Sequence, residues 1–359
     1  MENFFDLNII KISLSFLLSV AISYWSIPSI VSVAKAKHLY DEPNDRTSHK
    51  NSTPTLGGLA IFAAVIVSML IFFDFTTFPD MQYVVGGSII LFFIGIKDDI
   101  LSISPYKKLF GQIVSSLIII ILGDIRFTSL HGFLNITFIP YVPSVLLTLF
   151  VMIVIINCFN LIDGIDGLAS GIAMVSSLSF AIWFGLVREW EYVAISAALI
   201  GSLLAFFYFN VWGTKNKIFM GDTGSLLLGL FMSVLVIQFN ELNIYLDSPY
   251  QVAAAPAISF GILMIPLYDT MRVFVSRTMN RKSPFYPDKT HVHHRLLKLG
   301  NSHLRATGIL MIINVFFILL VFCCRNMSME PLFLLLFLFA TMLSYLPVYL
   351  LKRKNKAIK

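Results

Sequence analysis

The sequence predicts an all-α fold: a polytopic integral membrane bundle of about 11 transmembrane helices. Three observations carry that prediction. The 359 residues are 57% hydrophobic and only 13% charged, with a mean hydropathy of +0.82, more apolar surface than one soluble domain can cover. Apolar runs of about 20 residues recur along the chain, the length a helix needs to cross a bilayer. The basic residues are also partitioned: 21 of the 26 Lys and Arg fall in or beside one alternating set of loops.

In chain order the spans are 9–33, 55–73, 83–97, 108–123, 143–159, 168–187, 191–211, 219–239, 251–273, 306–323 and 331–351. The first lacks a basic leader and a small-residue cleavage site, so it reads as a retained span and not a signal peptide. The third and fourth are short and carry Gly or Gln. An odd number of spans puts the termini on opposite sides. The basic-rich set comprises 34–54, 98–107, 160–167, 212–218, 274–305 and 352–359, with Lys97 and Lys108 at its borders; the opposite set holds only Arg126, Arg188 and Arg325. That asymmetry puts the N-terminus outside and the C-terminus in the cytoplasm. In the outer loop 124–142, "IRFTSL" and "LNITFI" flank His131-Gly132, and their β-branched and aromatic content predicts a small outer β-hairpin near 125–139. No internal repeat or low-complexity linker divides the chain, so 1–359 reads as a single integral membrane domain.

The net charge of +6 does not call for nucleic acid, because the basic residues lie between spans, where topology and lipid headgroups account for them. Cys158, Cys323 and Cys324 have no spacing that suggests a disulfide framework or a zinc site.

Five polar clusters remain, and all fall on the predicted cytoplasmic side. They are "YDEPNDRTSHKNSTPTLGG" (40–58), "GIKDDI" (95–100), "NCFNLIDGIDGLASG" (157–171), "FMGDTGS" (219–225) and "SPFYPDKTHVHHRLL" (283–297). Adjacent carboxylates at Asp98 and Asp99 repel one another unless a cation or proton intervenes. They read either as solvated charges ending a span or as ligands for a hard cation such as Mg²⁺. In the third cluster, Asn157, Asn160 and Asp163 are three residues apart, which on a continuing helix makes one polar stripe. Such a stripe is costly in lipid unless it faces protein or water. Asp222 lies between two glycines at a span start, where backbone N–H groups receive phosphate or a metal-bound anion; Thr223 and Ser225 there also suit ordinary capping. His291, His293 and His294 offer hydrogen-bond donors or proton carriers near neutral pH. Their spacing, with no cysteine beside them, does not suit structural zinc. Arg277, Arg281, Lys289 and Arg295 suit a multiply charged phosphate ligand. In the first loop Asp41, Arg46, His49 and Lys50 supply both signs of charge, and Lys50 is the candidate phosphate or nucleotide contact.

Taken in order, "NCFNLIDGIDGL", "FMGDTGS" and "HVHHRL" resemble the polyprenyl-phosphate N-acetylhexosamine-1-phosphate transferase family. "DEPNDRTSH" and "SPFYPDKTHVHHRL" are closest to its undecaprenyl-phosphate GlcNAc-1-phosphate transferase branch. One departure is Ser102, in the region where the family often has a further Asp or Asn after the aspartate pair.

The resemblance implies a reaction. A membrane polyprenyl phosphate attacks the β-phosphate of a UDP-N-acetylhexosamine, UMP leaves, and a polyprenyl-pyrophosphoryl sugar remains to start a cell-surface glycan. UDP-GlcNAc is the expected donor, with other UDP-N-acetylated sugars as the alternative. Mg²⁺ is the expected cofactor, with Mn²⁺ as substitute; the location implied is the bacterial cytoplasmic membrane with the site facing the cytoplasm, and a homodimer is compatible with the family. The resemblance makes Asp222 the leading metal ligand, with Asp98 and Asp99 close by. Asp98 is the choice for deprotonating the lipid phosphate, and covalent attack stays open. Asn160 and Asp163 shape the catalytic core. Gly164, Ile165 and Asp166 hold the uracil end, Phe219 stacks on it with Lys50 nearby, and His291, His293 and His294 engage the diphosphate or sugar. A transporter is the competing class, but transporters place ionisable sites near the midplane, often in repeated halves.

Overall fold

In the computed structural model the described residues are 2–40, 53–281 and 290–357. Thirteen helices occupy them: α1 Glu2–Ala36, α2 Gly57–Phe72, α3 Met81–Leu101, α4 Pro105–Leu117, α5 Tyr141–Ile162, α6 Leu168–Leu186, α7 Trp190–Val211, α8 Gly221–Tyr245, α9 Ala255–Ile262, α10 Met264–Met279, α11 Val292–Lys298, α12 His303–Cys323 and α13 Met329–Ala357. Eight helical segments among the described residues are long and apolar enough to cross a membrane, or nine if the bent pair α9–α10 is one span. One of the eight is α4 extended by a π-helical turn, Ile118–Leu122. α2 is apolar but shorter, and α3 carries Asp98 and Asp99 in its last turn. All eleven predicted spans thus fall on helices, although several helices run further than predicted. α5 continues to Ile162 and so carries Asn160.

α8 is the central element. It packs against α2, α3, α5, α6 and α9, and its apolar residues from Leu226 to Leu235 are buried all round. α3 can approach it because residue 95 is glycine: a Cβ there would lie 2.5 Å from Thr223 Cα. The outer helices instead expose large apolar side chains, among them Trp25, Leu17, Phe93, Phe150, Leu338 and Met342, as a lipid-facing surface requires. Several buried hydroxyls and amides inside the bundle return to helix carbonyls: Ser88 donates to Val85 O at 2.7 Å, Ser233 to Leu230 O at 2.7 Å and Asn240 to Val236 O at 2.7 Å.

The span predicted at 251–273 is broken. α9 and α10 meet at 87°, with Pro266 in the first turn of α10. Proline has no N–H, so Ile262 O, four residues earlier, loses its helical partner. Ser176 Oγ on α6 and Asn314 Nδ2 on α12 each donate to that carbonyl at 3.1 Å. A broken helix in the membrane is tolerated on this condition, that neighbours satisfy the freed backbone groups.

The predicted outer hairpin does not form. No β-strand is present at 125–139, which instead contains a single 3₁₀ turn, Phe133–Asn135. Ile139 N does donate to Thr128 O at 2.8 Å, but side chains capture the donors a ladder would use. Phe127 N donates to Thr148 Oγ1 at 2.9 Å and Thr128 N to Glu241 Oε1 at 2.8 Å. The β-branched residues here pack a loop onto α5 and α8 instead of pairing with one another.

Candidate active site

The polar clusters that fall on described residues converge in three groups. The first is built where α3 ends against the start of α8. Asp99 accepts from Asp222 N at 2.6 Å, from Thr223 N at 3.0 Å and from Thr223 Oγ1 at 2.6 Å. One carboxylate therefore satisfies N–H groups that the first turn of α8 leaves without helical partners, and places negative charge at the positive end of the helix dipole. The anion that the "FMGDTGS" backbone receives is this side chain. Ser225 Oγ turns back to Gly221 O at 3.0 Å.

Asp98 points elsewhere. Its Oδ1 accepts from Ile103 N at 2.8 Å and its Oδ2 lies 3.3 Å from Lys108 Nζ. Lys108, which the motifs gave no reason to single out, is the hub of this group: Nζ is 2.6 Å from Asp222 Oδ1 and 3.4 Å from Asn160 Oδ1. Asn160 also donates through Nδ2 to Asp222 Oδ1 and to Ser225 Oγ. Asn157, one turn earlier, belongs to a different contact. It exchanges hydrogen bonds with Gln112 at 2.8 and 3.3 Å, so the polar stripe on α5 divides into a structural amide pair and a site amide.

This first group is where a divalent cation fits. Among the described residues no three His, Cys, Asp or Glu side chains form a ready metal cage. What the structure does offer is two carboxylates and an amide oxygen, all hard donors, already gathered round a positive charge, the Lys108 ammonium. Asp98, Asp222 and the Asn160 oxygen would hold the metal, whereas both Asp99 oxygens are committed to the α8 cap.

The second group surrounds the loop 163–167 that joins α5 to α6. Asp166 Oδ2 lies 2.7 Å from Lys217 Nζ and 3.4 Å from His303 Nδ1. Burial works to raise its pKa, but the hydrogen bonds from His303 and Lys217 and the lysine charge outweigh it and hold the carboxyl below the usual range. Lys217 Nζ is also 6.0 Å from the centre of the Phe219 ring, which brings Asp166 and Phe219 into one neighbourhood. Phe219 itself is fixed through its backbone, N to Pro54 O at 2.7 Å and O from Gly57 N at 2.9 Å. Asn210 ties the loop to the same segment, accepting from Gly167 N at 2.6 Å and donating to Ile218 O at 2.8 Å. Ile165 is buried. Asp163 stands between this group and the first. Burial, then repulsion from Asp222, Asp99 and Asp166, pushes its carboxyl up to about 8.

The third group is the histidine segment. His291 and His293 are buried, with rings stacked 5.7 Å apart, and His294 lies 4.2 Å from His293. His293 covers Gly164, where a Cβ would be only 2.7 Å from Nε2. Burial, then the His294 charge, lowers the His293 pKa to about 3, so it is a neutral ring near pH 7. Arg295 follows His294 on α11. Asp269 on α10 pairs with His291 at 2.8 Å. Lys50, Asp41, Arg46, His49 and Lys289 lie outside the described residues.

The fold and this site define a class: an integral membrane protein with acidic, amide and histidine groups gathered at the ends of its helices. Residues 81–240 match glycosyl transferase family 4. The chain is 29% identical to a Bacillus subtilis (strain 168) protein named as a probable undecaprenyl-phosphate N-acetylglucosaminyl 1-phosphate transferase, over 87% of this chain and 84% of that one. It is 30% identical to the undecaprenyl-phosphate alpha-N-acetylglucosaminyl 1-phosphate transferase of Haemophilus influenzae, over 75% and 74% of the two chains. It is also 30% identical to the decaprenyl-phosphate N-acetylglucosaminephosphotransferase of Mycolicibacterium smegmatis, over 74% and 70%. The chain belongs to glycosyl transferase family 4, in keeping with the transferase motifs of its sequence.

Proposed function

We propose that this protein transfers GlcNAc-1-phosphate from UDP-GlcNAc to a membrane polyprenyl phosphate, releasing UMP and leaving a polyprenyl-pyrophosphoryl sugar. The observation that carries this reading is the convergence of Asp98, Asn160 and Asp222 on one positive charge at 2.6–3.4 Å, at the end of an apolar bundle. A lipid phosphate and a soluble nucleotide sugar can meet only at such a boundary. The names of the relatives in Bacillus, Haemophilus and Mycolicibacterium support the acceptor and the sugar. The reading includes eleven spans, the C-terminus and the site on the cytoplasmic side of the inner membrane, and dependence on Mg²⁺. The positive-inside asymmetry of the loops supports the orientation.

Each group has its part. Asp222 and Asp98, with the Asn160 oxygen, would hold the metal, which would supply positive charge to offset that of the diphosphate and of the departing phosphate. Lys108 balances the same carboxylates and stands close enough to meet a substrate phosphate. Asp98, whose neighbour is taken up by the α8 cap, is the member of the pair that faces the lipid phosphate. The Asp166 loop and Phe219 receive the nucleobase, and Lys217 and His303 hold Asp166 in place. The histidine segment meets the diphosphate or sugar, with His293 as an uncharged hydrogen-bonding ring.

The test uses detergent-purified protein with polyprenyl phosphate, Mg²⁺ and a panel of UDP sugars, following UMP and lipid product. Lipid-linked product from UDP-GlcNAc is expected, and Asp222→Asn should abolish it while the protein stays folded. UMP release without lipid product, or a folded protein that neither binds nor turns over any UDP sugar, would overturn the reading.

A further inference from the structure

α10 should be an apolar half of a span, yet it buries a carboxylate. Asp269 is 5% exposed. A buried charge of this kind costs several kcal/mol unless it is fully paired, so its partners show what it is kept for. Oδ2 meets His291 Nδ1 at 2.8 Å, and Val292 N donates to both oxygens at 3.2 Å. Arg272, one turn further along α10, donates from Nη2 to Asp269 Oδ1 at 2.6 Å and to Thr290 O at 2.9 Å. The carboxylate thus holds His291 by its ring and by the next backbone N–H, and the arginine holds the residue before it. Three consecutive residues, 290 to 292, are fixed to one turn of one helix, and that helix is set in place by the 87° break.

We propose that Asp269 is a positioning residue for His291: it retains the Nδ1 proton on its own side of the ring, leaving Nε2 as the nitrogen that faces chemistry. This rests on the proposed transferase reading for what His291 then does, though the geometry stands apart from it. A carboxylate hydrogen-bonded to one imidazole nitrogen selects the tautomer and orientation, and so decides whether the other nitrogen accepts or donates. Stacking of the His291 ring on His293, 13° from parallel, passes the constraint to the ring that covers Gly164. A simple anchor for the loop would need only the Arg272 and Val292 bonds; the direct ring contact is the feature that such a role leaves unexplained.

The experiment has two readouts. In protein labelled with ¹⁵N-histidine, with His291 assigned by its loss in His291→Gln, the wild type should show Nδ1 protonated. A bare Nδ1 would overturn the proposal whatever any variant does. Asp269→Asn should lower kcat roughly 10- to 100-fold, the usual cost of losing an outer partner of a functional histidine, with the KM for the UDP sugar changed less than about threefold. In the His291→Gln background the same substitution should cost less than about twofold, because the residue it serves is gone. An equal loss in both backgrounds would make Asp269 a structural anchor only. Absence of turnover in the wild type, with the Nδ1 proton in place, would refute the transferase reading and leave the positioning intact.

Discussion

Asp98 and Asp99 are adjacent and chemically identical, yet the structure assigns them different work, so replacing each with asparagine should have different consequences. Asp99 accepts three hydrogen bonds from the first turn of α8, at 2.6, 3.0 and 2.6 Å. Asparagine keeps one oxygen and turns an amide NH₂ toward groups that are themselves donors. At least one buried backbone N–H then loses its acceptor, which costs about 1–3 kcal/mol. Loss of negative charge at the helix start adds about 0.5–1 kcal/mol. The expected total is about 1.5–4 kcal/mol, a large part of the stability a folded chain usually has in reserve. Asp98 makes one backbone hydrogen bond, which asparagine can keep, an ion pair with Lys108 at 3.3 Å, and a side-chain contact with the Asp222 carboxyl, to which an amide can donate. Asp98→Asn should therefore unfold close to wild type while losing at least about 100-fold in turnover, as expected when a charge that stabilises the reacting centre is removed. Scanning fluorimetry in detergent, with lipid-product formation on the same samples, measures both. The assignment fails if Asp99→Asn unfolds with the wild type, or if Asp98→Asn is the less stable of the two.

Three further outcomes are expected. Gly164→Ala puts a Cβ 2.7 Å from His293 Nε2, and should lower turnover about tenfold or more through displacement of that ring, with little change in unfolding temperature; steady-state kinetics and fluorimetry check it. The Asp166 carboxyl is held below its usual range through His303 and Lys217, so it contributes stability above the ordinary aspartate value of about 3.9, and that contribution is lost as pH falls through the depressed folded value. Lys217→Met should therefore move the acid-side loss of stability to higher pH, and should raise the KM for the UDP sugar more than it lowers kcat. Chelation should stop turnover, with Mg²⁺ restoring it and Mn²⁺ substituting, and an unchanged rate in excess chelator would remove Asp222 and Asp98 from a metal-binding role.

Much of the architecture was legible because bilayer physics writes it into composition: long apolar runs have few alternatives to helices. The elements that escaped prediction are those decided between elements. The outer segment has the residues of a hairpin, but Thr148 and Glu241, from two other helices, take its backbone donors. The break between α9 and α10 is encoded locally by Pro266; that it is tolerated depends on Ser176 and Asn314, 86 and 52 residues away from Ile262 in the chain.

The site divides in the same way. The motif residues proposed to meet the substrate can be read from their chemical type, and the structure brings Asp98, Asn160, Asp222, Asp166, Phe219 and the histidines into neighbouring groups. The residues that position them are single polar side chains inside apolar or loop sequence, with nothing local to mark them. Lys108 looks like one of two lysines at a helix start, Lys217 like a basic loop residue, and Asp269 like an oddity in a span. Yet Asp269 carried a usable signal. An aspartate three residues before an arginine, inside a stretch predicted to cross lipid, is too costly to keep without a partner, and the polar loop 274–305 that follows the span is the nearest place along the chain to look for one. The price of burying a charge is thus informative in a membrane protein even where the motif is silent: it says that a partner exists, and leaves only its identity for the structure to supply.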